Sequence, residues 1–241
     1  VRQEVWAYRL NDNMTTATKR YNTAKELIEF GKLYSAQEAV SIVKKTSTAK
    51  FDETIELHLR TGADPKHADQ IVRGVVTLPH GVGKQMRVTV FTDGENVAAA
   101  EAAGADFAGN DDLIERVEGG WADFDVAIAT PDMMGRIGRL GRYLGRQGLM
   151  PNPRTGTVVQ PDDLPRAIDE AKKGRVEYRL DRDGLIHVTI GKASFDESQL
   201  HENLSSLMEA VVRARPSGVK GQYIKTASLT STMGPSVPMD A

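Results

Sequence analysis

Between Asp132 and Asp162 every charged side chain is an arginine: Arg136, Arg139, Arg142, Arg146 and Arg154. The whole chain carries 33 acidic against 31 basic residues, a formal charge of −2. Cationic charge is therefore gathered where a polyanion or a phosphate-bearing ligand would meet it. Arg136, Arg139, Arg142 and Arg146 follow steps of three, three and four. In a helix those steps set the guanidinium groups on one face and leave Ile137, Leu140 and Leu144 for another. Gly135, Gly138, Gly141, Gly145 and Gly148 weaken such a helix, so either tertiary packing holds it or the glycines admit another backbone closely. Met150-Pro151-Asn152-Pro153 then imposes a rigid extended turn.

One reading of this segment is an α/β enzyme that binds a nucleotide or another phosphorylated ligand through Arg136 to Arg154. Enzyme motifs elsewhere do not support it. Gly81-Val82-Gly83-Lys84 ends like a phosphate-binding loop, but Leu78 replaces its first glycine and Gln85 its Mg²⁺-binding hydroxyl, and a strand is expected to follow. Gly135, Gly138 and Gly141 lack dinucleotide-binding spacing, and no serine sits in a nucleophile elbow. Asp123, Asp125 and Asp132 surround an expected strand end, where α/β enzymes often keep chemistry, yet aspartate there reads better as a turn or cap residue. Cysteine is absent, and His58, His67, His80, His187 and His201 are scattered without ligand spacing, so neither metal nor cofactor is expected. No apolar run reaches membrane-spanning length. Charges within residues 1–13 interrupt any signal-peptide core, which places the chain in the cytoplasm by expectation.

The elements that must position these residues read as mixed α/β. A helix is expected over 36–45 with Ser35 as its cap. Phe51, Ile55, Leu57 and Leu59 alternate with Glu56, His58 and Arg60 as a half-buried strand. Strands follow over 72–78, 84–91, 106–107 and 125–129, with helices over 96–103 and 111–119 between the later ones. Such alternation predicts a parallel, Rossmann-like sheet. An amphipathic helix over 164–172 precedes a hairpin of 176–180 with 185–190 around Asp181-Arg182-Asp183-Gly184. A helix over 200–213 and a strand over 221–229 close the chain. The alternating block over about 81–174 differs from its flanks, the pattern of one domain inserted into another, and 241 residues give room for two.

Gly148-Leu149-Met150-Pro151-Asn152-Pro153 with Thr155-Gly156-Thr157-Val158 resembles the signature of the ribosomal protein L-one family of stalk proteins. Thr48-Ala49-Lys50-Phe51-Asp52-Glu53-Thr54, Arg73-Gly74 with Leu78-Pro79-His80-Gly81, Ala127-Ile128-Ala129-Thr130-Pro131-Asp132, Gly191-Lys192-Ala193-Ser194-Phe195 and Thr232-Met233-Gly234-Pro235-Ser236 also resemble it, in its order. Arg146-Gln147 stands where that family has proline and a basic residue. Residues 1–13 have no counterpart there, and Met14 with Lys19-Arg20-Tyr21 resembles its ordinary start, so 1–13 reads as an extension.

The resemblance implies an α/β protein of two domains. A split α+β domain would comprise 1–80 and 174–241, and an inserted Rossmann-like three-layer α/β domain 81–173, hinged near Pro79-His80-Gly81 and Lys173-Gly174. It implies a structural, non-enzymatic component of the large ribosomal subunit. Its partners would be the stalk region of the large-subunit rRNA, the exit-site tRNA whose release it assists, and its own operon mRNA, whose translation it represses. The implied RNA site is Lys50, Phe51, Thr230, Ser231, Thr232, Met233, Gly234 and Ser236, with Glu38 at its margin. Secondary RNA contacts would fall to Arg136, Arg139, Arg142, Arg146 and Arg154. The residue chemistry suits these roles: small hydroxyls and open backbone for ribose and phosphate, an aromatic ring for a base or sugar, a lysine for phosphate.

Overall fold

The computed structural model describes residues 18–94 and 96–240, except the side chain of Arg154. The extension expected over 1–13 and the start at Met14 lie outside the described residues. In chain order the elements are α1 (Lys19–Glu26), α2 (Ala36–Thr46), β1 (Thr54–Thr61), β2 (Arg73–Thr77), β3 (Val88–Phe91), α3 (Asn96–Ala102), β4 (Phe107–Gly109), α4 (Asp111–Glu118), β5 (Val126–Ala129), α5 (Met134–Ile137), α6 (Gly141–Gln147), α7 (Leu164–Lys172), β6 (Arg175–Arg179), β7 (Leu185–Lys192), α8 (Glu197–Arg213), β8 (Ile224–Ser231) and β9 (Val237–Met239).

An antiparallel sheet in the order β7-β1-β8-β9 joins strands from both ends of the chain. Period-two alternation decides its faces. Ile55, Leu57 and Leu59 of β1, with Ile186, Val188 and Ile190 of β7, bury against Val40 and Val43 of α2 and Leu200, Leu204, Leu207 and Val211 of α8. Each such side chain contributes roughly 1.5 to 3 kcal/mol by leaving water. Glu56, His58, Thr189, Ser228 and Thr230 face the other way and stay partly exposed. Ser35 caps α2 as expected, its hydroxyl accepting from Glu38 N–H at 3.4 Å while Glu38 Oε2 accepts from Ser35 N–H at 3.1 Å.

The expected parallel sheet is present, in the order β4-β3-β5. Its alternate residues feed two apolar clusters. Phe91, Ala127 and Ala129 pack with Leu113, Ile114, Ile137, Leu140 and Leu144. Val88, Val90 and Ile128 pack with Ala100, Leu164, Ile168 and Ala171. Helices therefore cover both faces, a three-layer stack.

Chain passes between the two sheets where Gly81 (φ +66°) and Gly174 (φ +96°) meet; a Cβ on Gly174 would lie 2.4 Å from Gly81 Cα. Only glycine permits that approach in that backbone conformation. Asn203, fully buried in α8, anchors the crossing. Its amide accepts from His80 N–H at 3.0 Å and donates to Gly81 O at 2.9 Å and Ile190 O at 2.8 Å.

Several expectations need correction. The turn at 181–184 forms, with Asp181 Oδ1 accepting from Leu185 N–H at 2.7 Å, but its arms do not make a hairpin. β6 pairs with β2 in a separate two-stranded sheet and β7 pairs with β1, leaving a single bridge, Leu180 to Ile186, between them. β3 begins at Val88 rather than Lys84; ahead of it Asp125 holds Lys84 at 2.6 Å and Arg87 N–H at 3.1 Å by side-chain bonds. Phe51 lies before β1, not in it. The short strand is Phe107–Gly109, α8 starts three residues early behind an Asp196–Gln199 cap, and the last strand shifts to Ile224–Ser231. α1 and β9 have no counterpart among the expected elements.

Asn203→Ala would strand three backbone groups. Urea unfolding should show a loss of about 2 to 4 kcal/mol; a loss below about 1 kcal/mol would mean that this amide does not anchor the crossing.

Candidate nucleic-acid interface

Three loops at one end of the antiparallel sheet converge on Glu53, which is 1% exposed. Its Oε1 accepts from Ala49 N–H at 2.8 Å and its Oε2 from Met233 N–H at 3.0 Å, 180 residues away. Its backbone carbonyl accepts from Ala193 N–H at 2.8 Å. Burial pushes this carboxyl up, but the backbone N–H groups of Ala49 and Met233, with smaller help from the hydroxyls of Ser231 and Ser47, outweigh it and hold Glu53 below the ordinary glutamate value. Neighbouring bonds complete the knot. Asp52 accepts from Ser194 N–H at 3.0 Å and its hydroxyl at 2.8 Å, and Thr54 N–H donates to Thr232 Oγ1 at 2.9 Å while Thr232 N–H donates to Thr54 O at 3.0 Å.

Most of the expected site residues sit on these loops. Lys50 and Phe51 project from the loop that Glu53 pins, with Phe51 54% exposed; on the facing loop Met233 is 51% exposed. Thr232 and Ser236 are exposed and Gly234 partly so. Gly234 packs closely, since a Cβ there would lie 2.4 Å from Ser231 Oγ and that hydroxyl would have to move. Ser231 needs correction: strand alternation buries it to 4% exposure, so its side chain braces the loop from within and is not available to an outside ligand. Thr230, one position earlier, is on the open face. Glu38 lies on the first turn of α2, apart from this knot, with Oε2 engaged by the Ser35 cap.

The arginine segment is less free than its composition suggests. It folds as α5, a 3-10 turn over Gly138–Leu140 and α6, with Ile137, Leu140 and Leu144 fully buried. A Cβ at Gly135, Gly138, Gly141, Gly145 or Gly148 would meet nothing within 4 Å, so packing of the apolar face, rather than a close second backbone, holds the segment. Arg136 Nη1 lies 3.0 Å from Asn110 Oδ1 and 3.4 Å from Asp111 Oδ2, and Arg139 Nε lies 3.0 Å from Glu118 Oε1. Arg136 thereby lies beyond the carboxyl ends of β3 and β4, beside Asp93, Asn110 and Asp111. Among the described residues Arg142 and Arg146 form no ion pair, and they line an open cleft with Trp121 and Tyr143. Asp123 and Asp125 are taken up by Arg87 and Lys84.

Two histidines that look scattered in sequence become cross-strand partners. His58 of β1 and His187 of β7 are in register, with Nδ1 to Nδ1 at 2.7 Å; His58 Nε2 is 2.7 Å from Thr230 Oγ1. Sequence alternation puts each on a polar strand face, but only register brings them together. Glu53 was likewise legible as part of a motif, not as its organiser.

The chain matches the model of the ribosomal protein L1p/L10e family over residues 43–235. It is 55% identical over 227 residues to the large ribosomal subunit protein uL1 of Dehalococcoides mccartyi, covering 94% of this chain and 96% of that one. It is 58% identical over 223 residues to the uL1 proteins of Chloroflexus aggregans and Chloroflexus aurantiacus, covering 92% of this chain and 94% of each.

Glu53→Gln would keep the shape but set an amide NH₂ against a backbone N–H. It should cost about 2 to 3 kcal/mol in urea unfolding at pH 7. Because the folded carboxyl is depressed, its stabilisation is present above the unfolded glutamate value and lost as pH falls through the lower folded one. The gap between parent and variant should therefore narrow toward pH 3; a gap that stays constant would deny Glu53 this charge-dependent role.

Proposed function

Since the chain belongs to the ribosomal protein L1p/L10e family, a family of ribosomal proteins and not of enzymes, we propose that it binds the stalk segment of the large-subunit rRNA beside the tRNA exit site. The observation that carries this reading is the Glu53 knot: one buried carboxylate fixes the Lys50-Phe51 loop and the Thr232 to Ser236 loop together. Phe51 offers its ring to a base or sugar, Lys50 a charge to phosphate, and Thr230, Thr232, Ser236 and the backbone at Gly234 hydrogen bonds to ribose and phosphate oxygens. Met233 supplies apolar contact, and Glu38 a further acceptor at the margin.

The same reading divides the chain into a split α+β domain of 1–80 and 174–241 and an inserted domain of 81–173. The separate apolar clusters and the double-glycine crossing support that division, with the crossing as the hinge. Secondary contacts with rRNA or exit-site tRNA then fall chiefly to Arg142 and Arg146, since Arg136 and Arg139 already hold acids; Arg154 belongs to the same segment. Movement with the stalk assists departure of deacylated tRNA. A site that reads folded RNA by shape also accepts an rRNA-like element in the protein's own mRNA, the basis of translational repression. The protein works on cytoplasmic ribosomes.

Binding to an isolated stalk RNA fragment tests the site. Phe51→Ala should weaken it by about 1 to 3 kcal/mol, and Lys50→Ala should flatten the salt dependence by roughly 0.7 to 0.9 units per lost phosphate contact. If both variants, with unchanged circular dichroism, bind like the parent at matched salt, the site lies elsewhere.

The domain division has its own test. Joining Pro79 to Arg175 through a short flexible linker, across ends that already touch at Gly81 and Gly174, should keep most of the affinity because closing so short a loop costs little. A well-folded protein of this kind that has lost stalk RNA binding would move the main site into residues 81–173.

A further inference from the structure

The open face of the antiparallel sheet carries a titratable device next to the RNA site. At 2.7 Å the His58 Nδ1 to His187 Nδ1 contact holds one hydrogen between the rings. Two protonation arrangements satisfy it. With both rings neutral, His58 Nδ1–H donates to His187, His187 carries its hydrogen on Nε2 toward Asp181 Oδ2 at 3.6 Å, and the bare His58 Nε2 accepts from the Thr230 hydroxyl at 2.7 Å. With one more proton, His187 carries both hydrogens, its Nδ1–H donates to His58, and His58 moves its own hydrogen to Nε2 and donates to Thr230. The added proton reverses the hydrogen bond at Thr230 and frees the hydroxyl hydrogen for an outside acceptor.

We propose that the His58–His187 pair is a proton-driven positioning device that converts Thr230 from an outward acceptor to an outward donor for RNA. The inference rests on the reading of Thr230 as part of the RNA site. A donor hydroxyl and a nearby cation both favour phosphate and ribose oxygens, so RNA binding draws a proton onto the pair. Charged groups flank it, and beyond Thr189 on the same face lie Lys84, Arg175, Glu177 and Lys192. Glu56 on the same strand lies 3.8 Å from His58 Nε2, and Arg60 follows on the same face of β1. Asp181, with exposed Arg182 and Asp183, stands at the turn into β7, and the facing residues of β8, Thr226, Ser228 and Thr230, are uncharged. Burial first, and then His187, push His58 below the ordinary histidine value against the pull of Glu56. His58 thus favours the neutral, relaying form, and its more exposed partner His187 faces Asp181 at 3.6 Å.

The test is the affinity of the full chain for the stalk RNA fragment between pH 8 and pH 6 at fixed salt. The parent should bind roughly three- to tenfold more tightly at pH 6 than at pH 8, the linkage expected for uptake of at most one proton. The double variant His58→Asn with His187→Asn should lose that slope, Thr230→Val should reduce it, and Thr230→Ser should restore it. Nitrogen-detected NMR of the parent's histidine rings should show the hydrogen of His58 moving from Nδ1 to Nε2 over the same range. No salt-sensitive binding at any pH would overturn the RNA reading itself. Binding with the same pH slope in parent and double variant would instead overturn the device alone, as would, should the double variant not fold, a His58 tautomer that stays constant in the parent.

Discussion

A buried carboxylate held chiefly by backbone N–H groups organises the end of the molecule proposed to meet RNA. Removing an ionised carboxyl from water costs several kcal/mol unless hydrogen bonds replace the hydration. Glu53 recovers them from Ala49 and Met233, and those two N–H groups belong to loops that extend past the paired ends of β1 and β8. The cost of desolvation is what makes the geometry strict, since either loop drifting away would leave the charge unsatisfied. Around it Gly234 leaves room for Ser231 Oγ, and Ser231 is buried so that Thr230 and Thr232 are not. The exposed ring of Phe51 and side chain of Met233 are consequences of this arrangement, held out by loops that cannot collapse inward.

Charge follows a related logic. A chain with a slight acidic excess can serve a polyanion only if its acids are kept off the binding face. Four acids near the arginine segment and the start of the parallel sheet are engaged by cations: Asp111 and Glu118 by Arg136 and Arg139, Asp123 and Asp125 by Arg87 and Lys84. Among the described residues of the arginine segment Arg142 and Arg146 form no ion pair, and they lie one helical turn apart on α6. The run of glycines alongside them is open to solvent, so the segment presents backbone as well as cations, while three buried aliphatic side chains replace the helix propensity that glycine removes.

The antiparallel sheet shows how connectivity and pairing can part company. The sharp turn at Asp181 joins β6 and β7 as a hairpin would, yet each arm pairs along its length with another strand, β6 with β2 and β7 with β1. That divergence puts His187 opposite His58 and places the central strand β1 between the late strands β7 and β8. The strand that follows Glu53 is therefore flanked on both sides by the C-terminal part of the chain.

Local pattern was enough for much of this protein. Periodicity, caps and breakers marked α2, β1, α7 and the parallel βα units within a few residues, and the blocks around Lys50, Pro151 and Gly234 were sufficient to recognise the family. These features are short-range, set by side-chain period and backbone preference, and a sequence displays them directly. Register, burial of individual hydroxyls and ion pairing between distant segments are not displayed in that way. Ser231 and Thr230 read alike in the chain, and only the sheet makes one a brace and the other a surface group. Arg136 and Arg142 occupy equivalent places in the ladder, and only the approach of α4 neutralises the first. Glu53 looks like one acid among 33 until folding brings Met233 to it, because a hydrogen bond across 180 residues depends on how all the intervening elements pack.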